Sequence, residues 1–129
     1  MTQSSSDTSC EARCVHPDAV DAARARLAAR ADRIDGAQAL FAALGDPTRL
    51  RLLAALGGGP LCTCDLAAAL GVTESAVSHQ LRGLKALRLV ASRRDGRVVY
   101  HRLDDVHVAA LLDVAAEHVA EMVSAGAAA

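Results

Sequence analysis

Two short helical segments hinged on one glycine, followed at once by an arginine-rich hairpin, constrain this chain more than anything else in it. The first helix is expected to start at Cys64 or Asp65 and run to Leu70, where Gly71 can take the left-handed conformation that stops a helix. Thr73 then caps a second helix to about Leu87, in which Val77, Leu81 and Leu84 repeat at spacings of four and three and so share one core-facing side. Residues 89–93 and 97–103 flank Arg94, Asp95 and Gly96, an Asp-Gly turn signal between two strands. Helix, glycine turn, helix and hairpin in that order predict a winged helix-turn-helix, a mainly α fold with one small β-hairpin.

The flanking segments fit around this unit. Pro17 can occupy the first position of a helix reaching about Arg33, and Gly36 is expected to break it. A short helix over Ala37 to Leu44 follows, and Asp46 with Pro47 opens another that ends at Gly57, Gly58 and Gly59. Asp104 is expected to cap a last helix from Asp105 to about Val123, with an apolar stripe of Val108, Leu111, Leu112, Ala115, Val119 and Met122. The organisation expected is a polar, Ser-rich flexible arm over 1–16, one DNA-binding and dimerisation domain over 17–123, and a frayed tail over 124–129. A domain of this size buries a modest share of its surface, so a homodimer that covers part of its apolar face is expected.

Composition narrows the partners. There is no run of about 18 apolar residues, and the start MTQSSSDTSC lacks the basic and apolar regions of a secretory signal, so a cytoplasmic protein without a membrane partner is expected. One Tyr, one Phe and no Trp leave little to stack on unpaired bases, which favours duplex DNA. The net charge of −1 conceals a polarity: residues 82–102 carry +6 and the remainder −7. The polar face of the Thr73–Leu87 helix offers Glu74, Ser75, Ser78, His79, Gln80 and Arg82 to a major groove, and Arg93, Arg94 and Arg97 are placed to follow the flanking phosphates.

Two sets of metal-ligand residues stand out. His107 and His118 are 11 residues apart on the last helix, so they share a face but lie about 16.5 Å from each other along it. A two-fold axis near residue 112 or 113 would bring His107 opposite His118 of a second copy, with Asp105 close to Glu121. Asp105, His107, His118 and Glu121 then form a four-ligand N/O set between subunits, suited to Zn(II) or Co(II). The four cysteines fall into two pairs, Cys10 with Cys14 and Cys62 with Cys64, and in a reducing compartment they read as ligands rather than disulfides. Together they would give an S4 site for Cd(II), Pb(II) or Zn(II), with the arm contributing in cis or across the dimer. His16 either adds a ligand or is a free arm residue, and buried small hydrophobes are the plainer alternative for Cys62 and Cys64. Four protein ligands leave no open coordination position, and neither a GxSxG elbow nor a Walker loop is present, so neither an enzyme nor an organic cofactor is expected.

The run LCTCDLAAALGVTESAVSHQLRGLKALRLV, with RRDGRVVYHRL and DDVHVAALLDVAAEHVAE after it, resembles the ArsR/SmtB family of metal-sensing transcriptional repressors. The resemblance covers roughly Leu40 to Met122. It implies that Asp105, His107, His118 and Glu121 form the inter-subunit site of SmtB-like members, and that Cys62 and Cys64 pair with arm thiolates as in CadC-like members. It also implies an apo homodimer bound to an inverted-repeat operator and released by metal, derepressing efflux or sequestration genes. In that scheme His118 passes the signal through a hydrogen bond to backbone near Arg88. The chain departs from the family's Leu-Cys-Val-Cys-Asp-Leu box, with Thr63 in place of the middle Val and Pro60 where Glu is common. A thiol redox switch or a three-thiolate arsenite sensor is the alternative use of the same cysteines.

Overall fold

A computed structural model describes residues 14–128, and the side chains of residues 14–126. The chain divides into two units, Met1–Gln38 and Ala39–Ala129. In the first, α1 (Pro17–Ala29) carries Pro17 at its start and Asp18 in its first turn, where an acidic group meets the positive end of the helix. It stops at Arg30, earlier than the periodicity suggested, and α2 (Ala31–Leu44) runs straight through Gly36. A glycine costs a helix about 1 kcal/mol relative to alanine, but it does not force a break when good helix formers surround it. No residue of α1 is buried.

The second unit holds the core. Asp46 accepts a hydrogen bond from the Arg49 amide at 3.0 Å and so caps α3 (Pro47–Ala55), which ends in a 3-10 turn over Leu56–Gly58. Leu61–Cys62 form a short strand, β1, that the sequence did not announce. Two residues are too few to show an alternating pattern. Next, α4 (Thr63–Leu70) closes on Gly71, whose φ of 70° is the left-handed stop. Thr73 Oγ1 accepts from the Ala76 amide at 3.0 Å to start α5 (Glu74–Ala86). Val77, Leu81 and Leu84 are buried, as their spacing required. Beyond α5 the Leu89 amide bonds to Leu84 and the Arg88 amide to Lys85, a Schellman closure that puts Arg88 at a φ of 58°.

Strands β2 (Val90–Asp95) and β3 (Val98–Leu103) pair antiparallel, and the sheet order is β1-β3-β2. Asp95 pairs with Val98, so the hairpin loop is Gly96 and Arg97 rather than Arg94 to Gly96. Gly96 has a φ of 65°, which a two-residue loop with glycine first requires. The last helix, α6 (Val106–Ala128), is capped by Asp105 instead of Asp104 and extends past Val123. The core joins Leu52 and Leu53 of α3, Leu66 of α4, the three apolar residues of α5, and Leu89 and Val90. From α6, Val108 alone is in that buried set.

Candidate nucleic-acid interface and metal centres

Burying Val77, Leu81 and Leu84 turns the opposite side of α5 outward, and Ser75, Ser78, His79 and Arg82 are exposed on it. Gln80 is half-buried and accepts a hydrogen bond from Arg49 Nε at 2.9 Å, which ties α5 to α3. Arg93, Arg94 and Arg97 are exposed on the hairpin. The Arg93 guanidinium lies 5.4 Å from the centroid of the Tyr100 ring and 3.8 Å from Asp95 Oδ2, two contacts that bias where it points.

Cys62 ends β1 and precedes α4, Cys64 lies in the first turn of α4, and Thr63 stands between them. The Cys64 thiol is exposed and donates to Glu74 Oε1 at 3.5 Å. That bond, the carboxylate charge and the neighbouring Cys62 push the Cys64 thiol above its usual range. Glu74, offered by the sequence to DNA, is therefore occupied on the cysteine side. Cys14 is exposed ahead of α1, as is His16, and Cys10 lies outside the described residues.

On α6, Asp105 Oδ1 accepts from the amides of His107 (2.9 Å) and Val108 (3.3 Å) and lies 3.4 Å from His107 Nδ1. Burial of the carboxylate acts upward, but the bonds from the His107 side chain and the two amides outweigh it and hold Asp105 below its ordinary value. His118 and Glu121 are exposed further along. Among the described residues no three His, Cys, Asp or Glu side chains converge within one chain. The donor types fit their ions: two adjacent sulfurs suit a soft ion, and imidazole with carboxylate suits Zn(II) or Co(II). Among the described residues of one chain, neither set brings together the four donors that a tetrahedral ion takes.

Sequence reasoning missed His101. Only 3% exposed, it is the one buried polar residue recorded among the described ones. Its Nε2 is 2.8 Å from Thr63 Oγ1 and its Nδ1 is 2.7 Å from Ser92 Oγ. Burial, with help from the Lys85 charge, pulls its basicity below the usual value of 6.5. A signal existed, since Val99, His101 and Leu103 alternate onto one face of β3. Arg49, the partner of Gln80, carried none.

Residues 46–92 match the family described as bacterial regulatory protein, arsR family. A transcriptional repressor SmtB homolog of a Synechocystis species is 58% identical over 81 residues, 63% of this chain and 61% of that relative, so under two thirds of its length is spanned. A cadmium resistance transcriptional regulatory protein CadC homolog of Staphylococcus aureus is 38% identical over 118 residues, 91% of this chain and 96% of that one. Among solved structures, the homodimeric winged helix-turn-helix DNA-binding domain of a possible ArsR-family regulator from Mycobacterium bovis superposes with a TM-score of 0.69 at 29% identity. It covers 73% of this chain and 87% of that one.

Proposed function

The chain belongs to the arsR family of bacterial regulatory proteins, and from that premise we propose that it is a metal-responsive transcriptional repressor that holds operator DNA as an apo homodimer and releases it on binding metal. The family is one of regulators, not of enzymes. The observation that carries the reading is α5, with one face locked into the core and the other presenting Ser75, Ser78, His79 and Arg82 beside a hairpin of exposed arginines. A helix so placed can enter a major groove while the arginines meet flanking phosphates.

The dimer is supported by α6. Its outer side exposes Val114, Val119 and Met122, and an apolar groove between α3 and α6 is lined by Leu50, Ala54, Leu112, Ala115 and Val119. A second α6 laid antiparallel on this side covers that surface and brings His107 and Asp105 toward the partner's ligand positions on the same helix. A bound Zn(II) or Co(II) would supply a cross-link between the two helices there. Cys62 and Cys64, completed by Cys10 and Cys14 of an arm, would hold Cd(II), Pb(II) or Zn(II). The cadmium resistance named for the S. aureus relative supports the second set. Two recognition helices must meet half-sites about 34 Å apart, so a dimer rearranged by its ligands loses DNA, with a coupling of about 1–3 kcal/mol.

The test is fluorescence anisotropy on a duplex selected from a random pool by the apo protein, titrated with each of the four ions. Wild type is expected to lose affinity 5- to 150-fold, about the range that coupling allows. Cys62→Ser with Cys64→Ser, or His107→Ala, should each remove the response to the ion its set prefers. Retention of the duplex with all four ions sinks the proposal, and release by oxidant or arsenite alone replaces it with a thiol switch.

A further inference from the structure

The proposed cysteine site leaves open how a ligand at Cys62 and Cys64 would be felt by the DNA-reading hairpin, and the buried His101 answers that. Thr63 is the residue between the two cysteines, at the junction of β1 and α4. Its hydroxyl is bound to one ring nitrogen of His101, and the other ring nitrogen is bound to Ser92 on β2, next to Arg93. Thr63 also stands where the family resemblance leads one to expect valine, which has no hydroxyl to offer.

We propose that His101 is a positioning residue that relays occupancy of the Cys62 and Cys64 thiolates to the hairpin, through the chain Thr63 Oγ1, His101 Nε2, His101 Nδ1 and Ser92 Oγ. Three observations support it. Chelation by two cysteines separated by one residue closes a ring through the Thr63 backbone and restricts its torsions, so the Thr63 hydroxyl cannot stay indifferent to the site. A neutral imidazole donates at one nitrogen and accepts at the other, so the two hydroxyls are joined head to tail and a shift at one end reorients the other. At 3% exposure the His101 ring itself is shut off from solvent, and both of its nitrogens are met by protein hydroxyls. The relay ends at Ser92, the residue before Arg93 on β2.

The inference rests on the proposed function only in needing a thiophilic ion at the cysteines, and its test reads the protein without DNA. The full chain, labelled with nitrogen-15, is titrated with Cd(II) while thiolate-to-metal absorption reports ligation. In wild type the ring nitrogens of His101 and the amides of Arg93 and Arg94 are expected to shift. Thr63→Val should keep the absorption within about twofold and reduce those shifts at least about fivefold. Ser92→Ala should keep the His101 shift and lose the hairpin shift. Because Thr63→Val and Ser92→Ala remove one hydroxyl each, they test the relay without emptying the His101 site.

Shifts as large as wild type in both variants overturn the relay, as does a wild type in which Cd(II) binds the thiolates and leaves His101 and the hairpin unmoved. Absence of thiolate absorption in wild type overturns it together with the cysteine site. Hairpin shifts that follow the relay while the selected duplex stays bound leave the relay standing and remove the repressor mechanism instead.

Discussion

Cys62 and Cys64 stand where a strand becomes a helix, one hydrogen bond from α5 and two from β2, whereas Asp105, His107, His118 and Glu121 stand at the start of or along a helix from which Val108 alone is buried in the core. The first set is joined by hydrogen bonds to α5 and β2 of its own chain, whereas in the function proposed above the second meets its complement on another copy. A ligand at the cysteines would then act within a protomer, while one at α6 would act by fixing how two protomers meet.

The largest effect that would break this contrast is on metal affinity. Outer partners of a metal ligand alone are worth 10- to 100-fold, so Cys62→Ser with Cys64→Ser should weaken Cd(II) binding by on the order of 100-fold or more. His107→Ala should leave it within about threefold. Competition with a chromophoric chelator measures both, and a loss of Cd(II) affinity in His107→Ala would mean that the two sets are one.

Next in size is stability. Leu84 is wholly buried, and truncating it to alanine should cost about 3 kcal/mol in urea unfolding at every protein concentration. Val119 is 54% exposed, so Val119→Ala should cost under about 0.5 kcal/mol at the lowest concentration and progressively more as the dimer forms. Equal costs at the lowest concentration would place α6 in the protomer's core and dissolve the distinction.

A smaller effect separates two jobs of one residue. Asp105 caps α6 and is also a candidate ligand. Asn caps as well as Asp, so Asp105→Asn should hold stability to a few tenths of a kcal/mol while Asp105→Ala loses about 1 kcal/mol. Both should weaken Co(II) binding, read by its visible absorption. If Asp105→Asn binds Co(II) like wild type, the carboxylate serves the helix alone.

How far the sequence led depended on the range of the interactions involved. The helix-turn-helix and its core face were readable because Val77, Leu81, Leu84 and Gly71 act through local periodicity and a single backbone torsion. The hairpin was readable to within two residues of its loop. Asp105 was mistaken for the residue after the cap because two adjacent aspartates are equivalent until one of them meets the amides of α6. Missed altogether were β1, whose two residues gain strand geometry from β3, and the Arg49 bond to Gln80 across 31 positions. His101 shows the same limit, since its face was legible and its partners, 38 and 9 residues away, were not.

The smallest predicted effect sharpens the comparison from the side of His101. In the folded protein its burial and the Lys85 charge favour the neutral ring, so its basicity lies below the 6.5 of an exposed histidine. As pH falls through about 6.5, the unfolded chain takes up this proton first, and stability drops because the unfolded state then binds more protons. The contribution is complete above that value and is lost as pH descends toward and through the lower folded one. Urea unfolding between about pH 7.5 and 5 should therefore show a destabilisation on acidification that is shallower in His101→Gln, whose amide can still bond a hydroxyl but does not titrate. The difference between the two slopes isolates this histidine from every other titrating group. Parallel slopes would mean that His101 is as easily protonated folded as unfolded, and a ring so open to water could not hold Thr63 and Ser92 in a fixed chain.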